Sequence, residues 1–328
     1  MRDKVAGCLW SSVSTMRKGC GMCFKLIVKV IGPLMVMAAN FLFGCIAYGF
    51  LFYIIPEMSQ GSALFFCMYV ALGLFFLVNV LFNYIACIST PPGSPPPCPD
   101  PVAKMGGKVT TNGDGVTYLQ FPRCIEAKPA VSWRWCRHCK CVKPPRAHHD
   151  SITGTCVYDM DHYCPWMNNC VGRDNYRYFF LFLSYLFFGA LWAISMTYRC
   201  MRVFVAVEGP YATTIPNVNL RNAATFSFTI ALSAAFAVGI LFIWHVYLVL
   251  TNQTTIEFYI NMDEGQQAKE RGEKFKNPFD RGWRKNLIRV FGDGPWYQYF
   301  FITVKKTSNP EFGLYPPEDA LSIVHDNV

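Results

Sequence analysis

The chain has 328 residues, 52% of them hydrophobic and 16% charged, with aromatic residues as frequent as charged ones. Charge depletion on this scale, with a positive mean hydropathy, argues against an ordinary soluble protein and for a membrane-embedded one. The formal net charge of +9 then reads as attraction to anionic lipid headgroups and not as a nucleic-acid surface.

Residues 1–29 form a basic head, in which Cys8, Cys20 and Cys23 are either sites of acylation or plain surface thiols. Four apolar runs follow, roughly Val30–Ile55, Ala63–Ile88, Tyr178–Tyr198 and Ala223–Leu250. Each reaches the ~20 residues that carry a helix across a bilayer, and each is apolar all round, unlike the amphipathic helices of soluble folds. The first run is too long, and too poor in small residues at a cleavage position, for a signal peptide. The first two spans occupy residues 30–90, joined by a tight PEMSQG loop. Of the 30 lysines and arginines, only Arg199, Arg202 and Arg221 lie between spans three and four, and none lies in PEMSQG. The positive-inside rule therefore places both termini and the long middle segment in the cytosol.

That middle segment, residues 91–177, leaves the second span through a stiff TPPGSPPPCPDP and continues into KVTTNGDGVTYLQF. There, β-formers flank Asn-Gly and Asp-Gly, a hairpin signal. Next come CRHCKCVKPPRAHHD and CVYDMDHYCPWMNNCVG. Cys136 and Cys139 have the Cys-x2-Cys spacing of a zinc knuckle, in which two thiolates share one tetrahedral ion. His148, His149 and Cys156 are candidates for the remaining ligands, with Cys156 the natural fourth. Of the fifteen cysteines the richest cluster lies on this cytosolic side, where reducing conditions favour metal or thiol chemistry over disulfides. Asp161, His162 and Cys164 suit a different task. A thiol is a weak nucleophile until a base takes its proton, and a third group can orient that base. His162 supplies the base, Asp161 the orienting carboxylate and Cys164 the sulfur. Pro165 and Trp166 give the turn rigidity and an interfacial anchor.

Spans three and four occupy residues 178–250. Gly189 and Ala190 leave volume at mid-membrane depth, while Ser227, Ala231, Ala235 and Gly239 form a small-residue packing stripe. The sparse charge of the spans disfavours a channel or transporter. His245, a lone histidine beside Trp244, reads as an interfacial packing residue. In the tail, residues 251–328, the Asn252-Gln253-Thr254 sequon is expected to stay bare on the cytosolic side. Trp283, Leu287, Ile288 and Phe291 line one face of a basic helix lying on the membrane, and SNPEFGLYPPEDALSIVHDNV is expected to be flexible.

CRHC, KPPRAHH, CVYDMDHYCPWMNNCVG, TTIE (Thr254–Glu257) and NPFDRGWRKNLIRVFG together resemble the DHHC protein S-acyltransferase family, in the DHYC variant. TPPG resembles its Asp-Pro-Gly element with Pro91 in place of the aspartate. The resemblance implies an all-α integral membrane protein: four transmembrane helices with a small cytosolic cysteine-rich domain of short hairpins between the second and third. It implies a palmitoyltransferase that loads a long acyl chain from acyl-CoA onto Cys164 as a thioester and passes it to cysteines of membrane-associated proteins. His162 and Asp161 would assist, in an endomembrane such as Golgi or endoplasmic reticulum. It further implies Cys136, Cys139, His149 and Cys156 as zinc ligands, an acyl cavity near Trp166 and Gly189, and structural roles for Thr254, Thr255, Glu257 and Asn286. Lys143 and Arg146 are candidates for the CoA phosphates. The family's second zinc would use positions that here read Asp150, Thr153, Tyr163 and Cys170, so one structural zinc is expected. In its place a Tyr163–Asp150 hydrogen bond, with Thr153 nearby, is expected to pin the loop. The rival from another class is a membrane-anchored, zinc-binding adaptor without chemistry.

Overall fold

The structure, a computed structural model, describes residues 2–94, 108–111, 117–120, 134–139, 141–205 and 218–294. Residues 95–101 of the proline-rich exit and the final stretch from 308 lie outside these, as do the side chains of Cys8, Cys20 and Cys23. Four helical segments are long and apolar enough to cross a membrane: Lys25–Ser59, Ala63–Ser89, Tyr176–Cys200 and Val218–Leu250.

The first span begins within α1 (Arg2–Gly49) and passes through a π-helical turn, Phe50–Ile54, into α2 (Ile55–Ser59). The expected PEMSQG loop is therefore mostly helix, because Pro56 sits in a first turn, where its missing N–H is no loss. The reversal shrinks to Gln60 and Gly61, both with left-handed backbone (φ 50° and 77°). The Ser62 hydroxyl then accepts from the Phe65 N–H to start α3 (Ala63–Ser89). The third and fourth spans are α4 (Tyr176–Val205) and α5 (Val218–Leu250).

The small-residue stripe of α5 faces inward. Ser227, Ala231 and Gly239 are buried, and a Cβ on Gly239 would lie 2.8 Å from Cε2 of Phe187 on α4. Ser227 Oγ lies 3.5 Å from where a Gly49 Cβ would stand. Phe41, Leu64, Phe236 and Ile243 are exposed on the outer faces, where lipid tails would cover them. The free volume expected at Gly189 is not there: a Cβ on it would stand 3.4 Å from the Phe76 Cβ of α3. Gly189 lets the second and third spans approach, and Ala190 joins the buried cluster of Phe50, Ile54 and Met196.

Among the described residues between α3 and α4, the regular elements are short strands. β1 (Lys108–Thr111), β2 (Thr117–Gln120), β3 (Arg134–Cys136) and β4 (Cys141–Lys143) make one antiparallel sheet in that order. β5 (His148–Asp150) pairs with β6 (Thr155–Val157), and β7 (His162–Cys164) with β8 (Asn169–Val171), as two separate hairpins. A two-stranded hairpin is marginal on its own in water, so these depend on what clamps them: a cluster of metal-ligand side chains, the end of α3, and the tail. The tail supplies α6 (Thr255–Glu270) and α7 (Trp283–Phe291).

Candidate active site

The β7–β8 hairpin is fastened to the membrane helices by carboxamides. Asn169 Nδ2 donates to the carbonyls of Cys87 (3.0 Å), Ile88 (3.2 Å) and Thr90 (3.0 Å) at the C-terminal end of α3. Asn175 Nδ2 donates to Cys170 O (2.9 Å) and Thr90 O (3.3 Å). The last carbonyls of a helix have no partner within it, so these two asparagines satisfy the span and hold the hairpin in one act. The Tyr84 hydroxyl of the second span adds a 2.7 Å bond to Trp166 O. Cys164 thereby packs with Val80, Tyr84, Met167, Phe179 and Phe182, its sulfur at the boundary between hairpin and apolar spans. Trp166, the next aromatic in the turn, is 54% exposed.

His162 Nδ1 lies 2.6 Å from Asp161 Oδ2. Asp161 is itself buried and accepts from the Thr255 N–H at Oδ1 (2.8 Å) and the Thr255 hydroxyl at Oδ2 (2.9 Å). Thr255 opens α6, so the carboxylate sits at a helix N-terminus, where unpaired N–H groups favour negative charge. Burial alone would raise the Asp161 pKa, but the hydrogen bond and charge of His162, with the Thr255 N–H, bring it below the carboxylate norm. Burial likewise opposes a charged His162, and hydrogen bonds to Asp161 and Cys164 outweigh it, raising that imidazole from 6.5 to about 10. The Asp161 carboxylate and the nearby Cys164 thus favour the charged form of the His162 ring. A raised pKa stabilises the fold fully below the unfolded value of 6.5, and the gain is lost as pH rises through about 10. Thermal unfolding followed from pH 6.5 to 10 should show a fall in melting temperature that His162→Asn flattens.

The N-terminus of α6 is built by a reciprocal cap. Thr254 Oγ1 accepts from the Glu257 N–H (3.2 Å) and Glu257 Oε2 accepts from the Thr254 N–H (2.8 Å). Glu257 also takes both arms of Arg146, Nε at 2.5 Å and Nη2 at 2.6 Å. Arg146, expected at CoA phosphates, is instead fully buried over the Phe279 ring at 4.5 Å. Its Nε also lies 3.4 Å from Asp159, which pairs with Arg289 Nη2 of α7 at 2.6 Å. Arg289 and Arg146 both donate to Asn252 Oδ1. Asn286 closes the set, donating to Leu250 O and Asp280 Oδ1 at 2.7 Å each. Two arginines and two carboxylates thus weld the inter-span domain, the end of α5 and the tail together. Arg146→Met would leave buried carboxylates uncompensated, a loss of about 3–5 kcal/mol. Arg146→Lys should recover little, since it lacks the two-armed geometry. Thermal unfolding in detergent measures both.

Cys136, Cys139, His149 and Cys156 place one ligand atom each within 4.8 Å of one another. The β5–β6 register sets His149 directly opposite Cys156, which selects it over His148. His149 Nδ1 lies 3.7, 3.2 and 4.0 Å from the sulfurs of Cys136, Cys139 and Cys156. Tetrahedral zinc with ordinary Zn–S and Zn–N bonds needs roughly 3.6 Å between such atoms, so the donors fit a metal ion. Burial disfavours the Cys136 thiolate, yet hydrogen bonds from the Cys139 N–H, Cys156 and the His138 N–H bring its pKa below the usual thiol value.

The positions of the second set hold no such cluster. The Asp150 carboxylate accepts from Ile152 N (3.0 Å), Thr153 N (3.0 Å) and the Thr153 hydroxyl (2.7 Å), closing its own turn. The Cys170 thiol faces His162 O at 3.5 Å. The expected Tyr163–Asp150 hydrogen bond is absent: the Tyr163 hydroxyl donates to Asn168 Oδ1 at 3.1 Å. Asp150 is already saturated by local donors, and Tyr163 turns to the nearer acceptor in its own hairpin.

Tyr176 and Asp159 are not singled out in the sequence, Arg289 reads there only as part of a basic helix, and His245 and Asn252 read as an interfacial packing residue and part of a bare sequon, not as neighbours of the site. His245 is buried, bonded at Nδ1 to the Tyr176 hydroxyl (2.9 Å), with its ring 6.1 Å from that of His162. Its one legible signal was a polar ring in an otherwise apolar span, nine residues before TTIE.

Comparison with known proteins places these features in context. A family profile described as DHHC palmitoyltransferase matches residues 130–262. "Probable protein S-acyltransferase 14" of Arabidopsis thaliana is 36% identical over 242 residues, 72% of this chain and 73% of that protein. "Probable protein S-acyltransferase 16" of the same plant is 34% identical, over 48% of this chain and 54% of its own length. "Palmitoyltransferase ZDHHC2" of Rattus norvegicus is also 34% identical, over 50% and 42%. The chain thus spans about half the length of two of these relatives and nearly three quarters of the third. With that third match covering 72% of this chain at 36% identity, and the family profile lying on the cysteine-rich segment, the third and fourth spans and the start of the tail, the chain belongs to the DHHC palmitoyltransferase family.

Proposed function

We propose that the chain is a protein-cysteine S-palmitoyltransferase working through an acyl-enzyme at Cys164. The observation that carries this is that Asp161 holds His162 while Cys164, two residues on in the same strand and on the same face, packs at the edge of the apolar spans. In the first step the Cys164 sulfur, its proton held by His162, attacks the thioester carbon of palmitoyl-CoA or another long-chain acyl-CoA. A carbon–sulfur bond to Cys164 forms, the bond to the CoA sulfur breaks, and the departing thiolate takes the proton from His162. In the second step a substrate cysteine gives its proton to His162 and attacks the Cys164 thioester. The acyl chain moves over and the Cys164 sulfur is protonated again. Both steps exchange one thioester for another, so activation and positioning matter more than driving force.

Zinc is the metal that three thiolates and one imidazole at this spacing suit best. Bound to Cys136, Cys139, His149 and Cys156, it would stabilise the hairpins without touching the reacting atoms. The substrates are membrane-associated proteins, and the enzyme sits as a multi-pass protein in an endomembrane with both termini cytosolic. The domain limits then follow the spans: a head to residue 29, spans at 30–90 and 178–250, the cysteine-rich domain at 91–177 and the tail at 251–328. The test is incubation of purified protein with labelled palmitoyl-CoA. A hydroxylamine-sensitive label that disappears in Cys164→Ser supports the reading. No label on the wild type means an adaptor that has lost its chemistry.

A further inference from the structure

Tyr163 and Gly32 meet on the same side chain. The turn joining β7 to β8 is closed by Met167 N to Cys164 O and Asn168 N to Pro165 O, both 3.1 Å. It ends on Asn168, whose backbone is left-handed (φ 47°). From inside the hairpin, the Tyr163 hydroxyl donates to Asn168 Oδ1. From outside, the first span presses on the same carboxamide. Gly32 is buried, and a Cβ there would stand 2.3 Å from Asn168 Oδ1, 2.9 Å from its Cγ and 3.2 Å from its Cβ. A helical position in an apolar span thus holds a glycine where a Cβ would displace the Asn168 side chain from its place in the turn that begins at Cys164.

We propose that Tyr163 and Gly32 form a clamp on Asn168 that sets where the Cys164 turn stands against the first span, making Tyr163 and Gly32 positioning residues of the acylation step. This rests on the reading of Cys164 as the acylated sulfur. Tyr163 directly precedes Cys164 and lies opposite Cys170 in the hairpin. Its ring therefore points away from the face that carries His162 and Cys164, and it reaches the site only through the turn. The Asn168 carboxamide transmits the position of the first span to the sulfur two ways: through Tyr163 and through the backbone of its own turn. Small errors in such geometry are costly, since displacement of about 1 Å at a reacting group reduces rates by as much as 10²-fold.

The test is a cycle of four full-length proteins in detergent: wild type, Tyr163→Phe, Gly32→Ala and the double variant. The rate constant of label uptake from palmitoyl-CoA is read at saturating concentration, and KM separately. Each single variant should slow uptake about tenfold with KM unchanged, and the double should be little slower than either. Asn168→Gly, which keeps the left-handed turn, should show the same slowing and should make Gly32→Ala silent when the two are combined. Melting temperatures are taken in parallel. Variants that melt earlier yet acylate at the wild-type rate would overturn the clamp, as would losses in the two singles that simply multiply in the double. A wild type that takes up no label would overturn the underlying reading instead, so the two failures are distinct.

Discussion

His162→Ala is expected to slow acyl-enzyme formation by about 10²–10⁴-fold, the range that a positioned acid–base group supplies. The imidazole is held by the Asp161 carboxylate on the strand face that carries Cys164, so in the proposed mechanism its removal takes away the proton acceptor for the thiol and the proton donor for the CoA thiolate together. Because the Asp161 carboxylate keeps both Thr255 bonds, the start of α6 should survive and the variant should still fold. Single-turnover label uptake checks the rate and a melting curve checks the fold. Asp161→Asn should fall between the variant and wild type, since its amide keeps shape but loses the charge that favours the imidazolium.

The second large effect concerns the metal. Removing zinc with a chelator, or changing Cys139 to serine, is expected to unfold the β3–β6 region. Structural zinc in small finger peptides binds with about 10–16 kcal/mol, comparable with the whole stability of a small domain, about 5–15 kcal/mol. Among the described residues, the buried hydrophobic cluster at this end consists of Cys136 and Cys156 with Cys139 packed on them, so the metal ligands themselves make up that cluster. Metal analysis should give one zinc per chain, and chelation should open the segment to protease while the spans stay helical. Two zincs per chain would contradict this assignment, because Asp150, Thr153, Tyr163 and Cys170 are each engaged elsewhere. The β7–β8 hairpin should be less affected, since Asn169, Asn175 and Tyr84 fix it to the spans.

Features encoded locally were legible in the sequence. The spans follow from unbroken apolar runs, and the Cys136–Cys139 knuckle from its spacing. Adjacent residues meet easily, so the Asp161–His162 pair could be read directly. Apart from the PEMSQG loop, the misreadings concern which neighbour a side chain meets once the chain is folded. Tyr163 had two acceptors in reach, Asp150 and Asn168, and nothing in the chain reveals that Asp150 spends itself on its own turn. Gly189 looked like empty space because Phe76, which fills it, lies on another span. Arg146 looked like a phosphate ligand because positive charge in a motif suggests a surface. Its two-armed contact with Glu257, 111 positions away, exists only once the tail folds back. His245 reached the site by the same route, through the packing of α5 on α4.

The most direct measurement is a pulse–chase on the purified protein. Labelled palmitoyl-CoA is supplied, the protein is isolated, and a membrane-tethered peptide with one cysteine is added. The mechanism predicts a thioester on Cys164 after the pulse, located by peptide mass spectrometry, and its stoichiometric appearance on the peptide thiol during the chase. Label that settles on other cysteines, or stays on Cys164 while the peptide remains bare, would contradict it.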